Sequence, residues 1–275
     1  MSSLAIGLTL LAATLQACWN AVLRGGVDPL WSITVMSLST IVVTVPLAIA
    51  LPWPVRASWP YLLSSACLQI GYCVFLVSAY RYGELGQVFP IVRGSVPLLV
   101  TGGGLLFAHQ YPHPLALLGI VLVAAGIISL ALGRQRTRTR SVALALGAGL
   151  FIASYVTIDG LGVRVAGDSR VYPTWIFLLD GLLMPLTFIA LRGRFTIDMR
   201  SPETWKATAA GYISLISYMA FVTALSLGPI GPLSALRETS VVFAALIGWL
   251  FLGEALTARR LGACAVVALG AYCIG

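Results

Sequence analysis

The chain has 275 residues, of which 59% are hydrophobic and only 9% are charged. A soluble domain carries roughly a quarter charged residues, so this composition excludes a water-facing globular fold and predicts an all-α integral membrane protein. The formal net charge of +8 does not indicate a nucleic-acid partner, because the arginines lie in the gaps between apolar runs, as topology signals do.

Ten apolar segments follow one another in chain order, each close to the roughly 20 residues that a helix needs to cross the hydrocarbon layer. They lie near residues 4–23, 31–51, 59–80, 85–107, 114–133, 142–160, 172–191, 207–226, 231–252 and 259–274. The loops between them are short. We therefore predict ten transmembrane helices and no sizeable soluble domain.

The basic residues of the loops predict an orientation. The odd-numbered loops hold twelve Lys and Arg residues, while the even-numbered loops hold three. Basic loops stay on the cytoplasmic side of a membrane. The sequence therefore predicts a multi-pass protein of a bacterial-type inner membrane, with cytoplasmic odd-numbered loops and both termini outside.

The second half of the chain repeats the first in outline. A constant offset of 145 aligns GELGQVFPIVRGSV (83–96) with GPIGPLSALRETSV (228–241) and pairs Gly83 with Gly228 and Ser95 with Ser240. We predict two five-helix repeats, 1–133 and 142–275, joined by a basic linker, 134–141. Because five crossings are an odd number, the repeats enter the membrane in opposite senses, which is typical of secondary transporters.

The stretch 228–272 resembles the second EamA repeat of the drug/metabolite transporter superfamily. It has a small-residue turn, a long apolar helix ending in Leu252-Gly253-Glu254, and a further helix opened by Gly262. In the first half, 106–110 read LFAHQ where LGE is expected. The resemblance implies two inverted five-helix EamA repeats around a central cavity, a small-molecule substrate such as an amino acid, sugar phosphate or nucleotide sugar, and no cofactor.

Charged residues at membrane depth are costly and commonly face a partner, a substrate or water. Four lie well away from the ends of the predicted helices: Arg93, Asp180, Arg237 and Glu238. The repeat alignment puts Arg93 and Glu238 at equivalent positions. They either form a buried pair that locks the halves together or bind the carboxylate and ammonium groups of a zwitterion. Asp180 is the candidate for proton coupling, the alternative being a hydrogen bond to a neighbouring helix.

Amide and aromatic side chains complete the candidate substrate site. They are Gln16, Trp19 and Asn20 on one face of the first segment, Gln69 and Tyr72 on the third, Tyr155 on the sixth and Tyr218 on the eighth. Groups of this kind suit a cavity for polar or amphipathic solutes. Hydrogen bonding between helices is the alternative role for each of them.

These residues favour a secondary transporter that exports neutral or aromatic amino acids by alternating access, resembling the YddG type of the superfamily. A sugar-phosphate or nucleotide-sugar carrier is the alternative, although such anions want clustered cations. An intramembrane aspartyl protease would need two deep aspartates, whereas Asp159 falls near the predicted end of its segment. We expect no enzymatic activity, no metal site and no need for an oligomer, since both repeats lie in one chain.

Overall fold

The computed structural model describes residues 1–23, 28–82, 85–131, 139–253 and 255–275. Within these ranges all regular secondary structure is helical. Glu254 and residues 134–138 of the predicted linker lie outside the described residues.

The described residues of the first half form five α-helices and one 3-10 turn, at Arg56–Ser58. Their bounds are α1 Ser3–Val22, α2 Pro29–Ala50, α3 Trp59–Tyr82, α4 Leu85–Ala108 and α5 Pro114–Ser129. Local signals fix several starts: the Asp28 carboxylate accepts from the backbone N–H of Leu30 at 3.0 Å, and Pro29 occupies the first helical position.

The second half contains six helices. Their bounds are α6 Thr139–Val165, α7 Val171–Arg192, α8 Pro202–Leu227, α9 Ile230–Arg237, α10 Ser240–Leu252 and α11 Ala258–Ile274. α9 and α10 follow one path through the bundle and form a single apolar span, Ile230–Phe251. α6 continues five residues past the predicted end at residue 160, so the expectation that Asp159 lies near a helix end was wrong.

In the described parts of the chain, eight helical spans are long and apolar enough to cross a membrane. α5 is apolar but shorter, with 16 residues. The surface carries many large exposed side chains such as Ile49, Phe107, Leu186 and Phe251. Such a surface is costly in water and suits lipid, so the chain is a multi-pass membrane protein.

Each half of the bundle packs chiefly against the other half. α3 lies along α6, α1 along α8, α2 along α7 and α5 along α11, while α4 contacts both α6 and α9. Small residues allow the closest approaches, as expected in lipid. A methyl group on Gly119 of α5 would lie 2.5 Å from the carbonyl oxygen of Gly270 on α11.

Candidate substrate-binding site

The helical path of α9 and α10 is interrupted at Glu238 and Thr239. Here the backbone tightens: Glu238 N–H donates to the Ala235 carbonyl at 3.0 Å, and Thr239 N–H donates to the Leu236 carbonyl at 3.1 Å. The Thr239 hydroxyl also donates to the Leu236 carbonyl, at 2.8 Å, and competes with regular helix bonding. A mid-span stretch of this kind often marks a functional position, and it carries Arg237 and Glu238.

The facing helix α4 is also irregular, since it contains Pro90 and Pro97. Proline has no N–H, so Pro97 cannot donate to the carbonyl of Arg93 four residues earlier. α4 packs against α9. Two weakened stretches of helix therefore meet where the candidate charges lie.

The structure brings Arg93 and Glu238 together. Arg93 Nε lies 3.0 Å from Glu238 Oε2, and the two side chains are 12% and 2% exposed. The contact is close, but it lacks the alignment of a hydrogen bond, and Arg93 Nη2 is buried with no hydrogen-bond partner among the described side chains. The pair holds α4 to the break after α9 and leaves part of the guanidinium available to another acceptor.

Among the residues that the structure describes, Arg237 has aromatic neighbours and no ion-pair partner. Its guanidinium carbon lies 4.3 Å from the ring centre of Phe221 and 5.2 Å from that of Tyr218. Its Nε is buried and has no hydrogen-bond partner in the described part of the protein. Cation–π contacts stabilise a guanidinium without neutralising it, so this charge can bind an anionic group.

Asp159 is a site residue that the sequence analysis missed. Its side chain is fully buried in α6 and accepts hydrogen bonds from the hydroxyls of Tyr172, at 3.0 Å, and Tyr218. Gly160 and Gly162 follow it and give room to Ile230 and to the ring of Tyr172. One isolated aspartate in an apolar run was the available signal.

Four more predicted residues lie in or beside this region. The rings of Tyr72 and Tyr155 meet edge to face with centres 6.3 Å apart. Gln16 donates to the Ser240 hydroxyl at 3.3 Å, and its Oε1 has no partner among the described residues. Gln69 likewise has a buried, unpartnered Nε2.

Other predicted residues lie elsewhere. Trp19 packs against the cluster formed by Val35, Met36, Ala207 and Ala210. Asn20 donates to the backbone carbonyl of Gln16 at 2.7 Å, within its own helix.

The carboxylate of Asp180 lies within electrostatic range of Asp159 and Cys73. Within the described ranges it makes no hydrogen bond or ion pair with another side chain. The predicted alternative role, a hydrogen bond to a neighbouring helix, is therefore not supported by the described contacts.

The described residues contain no group of three His, Cys, Asp or Glu side chains that could hold a metal ion. The polar side chains near the centre of the bundle are amides, phenols, guanidiniums and separate carboxylates. This set can bind and orient a polar solute.

Comparison with known proteins gives a family and a fold. Residues 139–275 match the EamA-like transporter family. A solved structure titled "Crystal structure of protein" superposes with a TM-score of 0.82, covering 99% of this chain and 96% of its own, at 18% sequence identity. At that identity the likeness shows the fold alone. No curated protein matches the sequence.

Proposed function

With residues 139–275, the chain belongs to the EamA-like transporter family of the drug/metabolite transporter superfamily, and on this premise we propose that it exports neutral or aromatic amino acids across a bacterial-type inner membrane. The family is one of small-molecule transporters, and the apolar helices are those of a multi-pass membrane protein. The class of substrate and the direction of transport are the proposal.

The proposed architecture is ten crossings in two inverted five-helix repeats that alternate access to a central cavity. The helix contacts support it. Exchanging each helix of one half for its counterpart turns the α3–α6 contact into α8–α1, and α4–α6 into α9–α1, all of which occur. The α2–α7 and α5–α11 contacts map onto themselves. A twofold axis in the membrane plane has this property.

Arg237 carries the proposal for a zwitterionic substrate. Its charge is buried against two rings with no ion pair in the described part of the chain, so an incoming carboxylate would gain a charge-assisted hydrogen bond. The unpartnered Gln16 Oε1, Gln69 Nε2 and Arg93 Nη2 offer further polar contacts. A buried polar atom without a partner costs about 1–3 kcal/mol, and a bound solute would recover part of this cost.

The remaining candidate residues receive roles consistent with that substrate. Tyr72, Tyr155 and Tyr218 supply aromatic surface for an apolar side chain, and Glu238 binds the ammonium group when Arg93 releases it. Trp19 and Asn20 would contact the substrate only in another conformation, since they lie toward the end of α1. Asp180 carries the coupling proton. Its carboxylate makes no hydrogen bond to the described side chains, so protonation would break none.

A sugar-phosphate or nucleotide-sugar carrier is the second reading of the same fold. A phosphate would want several uncompensated cations. Here Glu238 already offsets Arg93, which leaves the guanidinium of Arg237. The charge balance favours a single carboxylate over a phosphate. We further propose that the basic odd-numbered loops face the cytoplasm and that one chain suffices for transport.

The test is uptake into proteoliposomes of the purified protein, with labelled phenylalanine, leucine and glutamate and with unlabelled competitors. We expect saturable phenylalanine uptake that is stimulated by unlabelled phenylalanine inside. Arg237→Gln should reduce it at least about tenfold, the value of one charge-assisted hydrogen bond. Arg170→Gln, an exposed loop arginine, is the matched control and should transport normally.

Flux of a phosphorylated sugar with no amino-acid uptake would overturn the substrate and keep the fold. For coupling, Asp180→Asn should abolish proton-driven accumulation while leaving exchange at equal concentrations intact. Accumulation is measured from about pH 5 to 8, because a carboxyl group in a perturbed environment can titrate in this range. If the Asp180→Asn variant accumulates substrate as the parent does at every pH, Asp180 does not carry the coupling proton.

A further inference from the structure

Asp159, Tyr172 and Tyr218 form a buried hydrogen-bonded group. This group lies next to Arg237, the proposed anion-binding residue. Asp159 belongs to α6, Tyr172 to α7 and Tyr218 to α8. Asp159 and Tyr172 are fully buried, and Tyr218 is 8% exposed. Both phenol hydroxyls donate to the same carboxylate, Tyr172 to one oxygen and Tyr218 to the other.

Tyr218 links this group to Arg237. Its hydroxyl is held by Asp159, and its ring faces the guanidinium with 5.2 Å between ring centre and guanidinium carbon. Phe221, one turn along α8, supplies the second ring at 4.3 Å. Asp159 also acts on Arg237 directly, because the two charges lie within electrostatic range. Within the described part of the chain, Tyr172 makes no ring contact or hydrogen bond with Arg237, although it shares the same carboxylate.

We infer that Asp159 is a positioning residue for substrate binding: through Tyr218 it fixes the ring on which Arg237 lies and so aims the guanidinium at the substrate carboxylate. This inference rests on the proposed function. A cation–π contact depends on where the ring face lies, and a phenol with its hydroxyl anchored to a buried carboxylate cannot shift its ring freely. Preorganisation of this kind increases affinity because less order is lost on binding.

The chain offers a matched pair of variants. Tyr218→Phe and Tyr172→Phe each delete one hydroxyl bonded to Asp159, and each keeps its ring. If Asp159 acts on Arg237 through Tyr218, then Tyr218→Phe and Asp159→Asn should raise the half-saturating phenylalanine concentration about tenfold at a near-normal maximal rate, the size of one charge-assisted hydrogen bond. Tyr172→Phe should change it less than about twofold. Equal effects of the two tyrosine variants would show a merely structural group and overturn the inference.

A substrate-free measurement separates this inference from the proposed function. Thermal unfolding in detergent is compared for Arg237→Gln combined with Tyr218→Phe and for Arg237→Gln combined with Tyr172→Phe. Coupled residues give non-additive shifts, and independent residues give additive ones. We expect non-additivity only in the first pair; additivity in both overturns the inference, whatever the transport assay shows. Absence of phenylalanine uptake by the wild-type protein, with the first pair non-additive, would instead refute the amino-acid proposal.

Discussion

At the end of the bundle where α9 begins, polar side chains bond one helix to another, whereas at its centre several polar atoms have no hydrogen-bond partner among the described residues. At that end, Gln110 Oε1 accepts from the backbone N–H of Ile230 at 2.8 Å, and Arg164 donates to the Leu225 and Gly228 carbonyls. At the centre, Arg237 Nε and Gln69 Nε2 are buried and unsatisfied. Since proteins seldom leave buried polar atoms unpaired, the contrast distinguishes a closed end from the central layer that we propose binds the solute.

The largest effect should come from breaking the central ion pair. Glu238→Ala leaves Arg93 buried without its counter-charge, and loss of one partner of a buried pair costs about 3–5 kcal/mol. We expect a marked drop in the thermal unfolding temperature of the detergent-solubilised protein and no transport.

The control for this prediction removes both charges at once. Arg93→Met with Glu238→Leu fills the space with apolar side chains of similar size, and such replacements are often close to neutral. We expect this double variant to be more stable than Glu238→Ala and still unable to transport. A double variant as unstable as the single one would contradict the uncompensated-charge explanation.

The next effect concerns the contact between α5 and α11, which joins the two halves outside the site. In Gly270→Ala the new methyl carbon would lie 2.7 Å from the Gly119 carbonyl oxygen and 2.9 Å from the Val123 nitrogen, so the helices must separate. Overpacking of this kind costs about 1–3 kcal/mol. Gly262→Ala, on the same helix but with open space around it, is the control and should leave the unfolding temperature unchanged or slightly higher.

A smaller effect is expected at the closed end. Arg164→Gln removes the donors to the Leu225 and Gly228 carbonyls, and each such hydrogen bond contributes about 1 kcal/mol. The end should then open more readily, which labelling of a cysteine placed at Ser226 would report as faster modification. Identical labelling rates in Arg164→Gln and the parent would mean that this arginine does not hold the end closed.

The smallest effect belongs to the exposed loop between α6 and α7. Hydrogen bonds from the Arg170 side chain and backbone lower the pKa of Asp168. A carboxyl whose pKa is lowered in the folded state stabilises the protein above its ordinary pKa and loses that contribution as the pH falls through the folded value. Because the pair is exposed, Asp168→Asn should leave both transport and the unfolding temperature at neutral pH unchanged; a measurable loss of transport would give this loop a role in gating.

The helices could be predicted from the sequence because the bilayer sets their length. The predicted segments for α1 to α4 begin and end within two residues of the observed helices. The predicted segment for α6 ends five residues before the observed helix does, and Gly160 and Gly162 pack closely against other helices within it. Local composition does not distinguish a glycine that ends a helix from one that admits a neighbour.

One part of the candidate site, the pairing of Arg93 with Glu238, could be predicted by aligning the two predicted repeats. Aligning the two halves puts Arg93 opposite Glu238, and these side chains are 3.0 Å apart in the structure. No such relation joins Asp159 to Tyr172 and Tyr218, which come from three consecutive helices with no common spacing. The aromatic surroundings of Arg237 were also hidden, because Phe221 and Tyr218 lie on α8, a different helix, and no sequence spacing relates them to Arg237.

The contact between α5 and α11 has a consequence for biosynthesis. α5 is apolar and only 16 residues long, and the helix against which it packs is made after all the others described here. During translation, the small-residue face of α5 that includes Gly119 and Gly126 therefore has no α11 partner until α11 has been made. Ribosome-bound chains stopped before Ala258 should show this face to membrane-soluble crosslinkers, and release of the full chain should hide it.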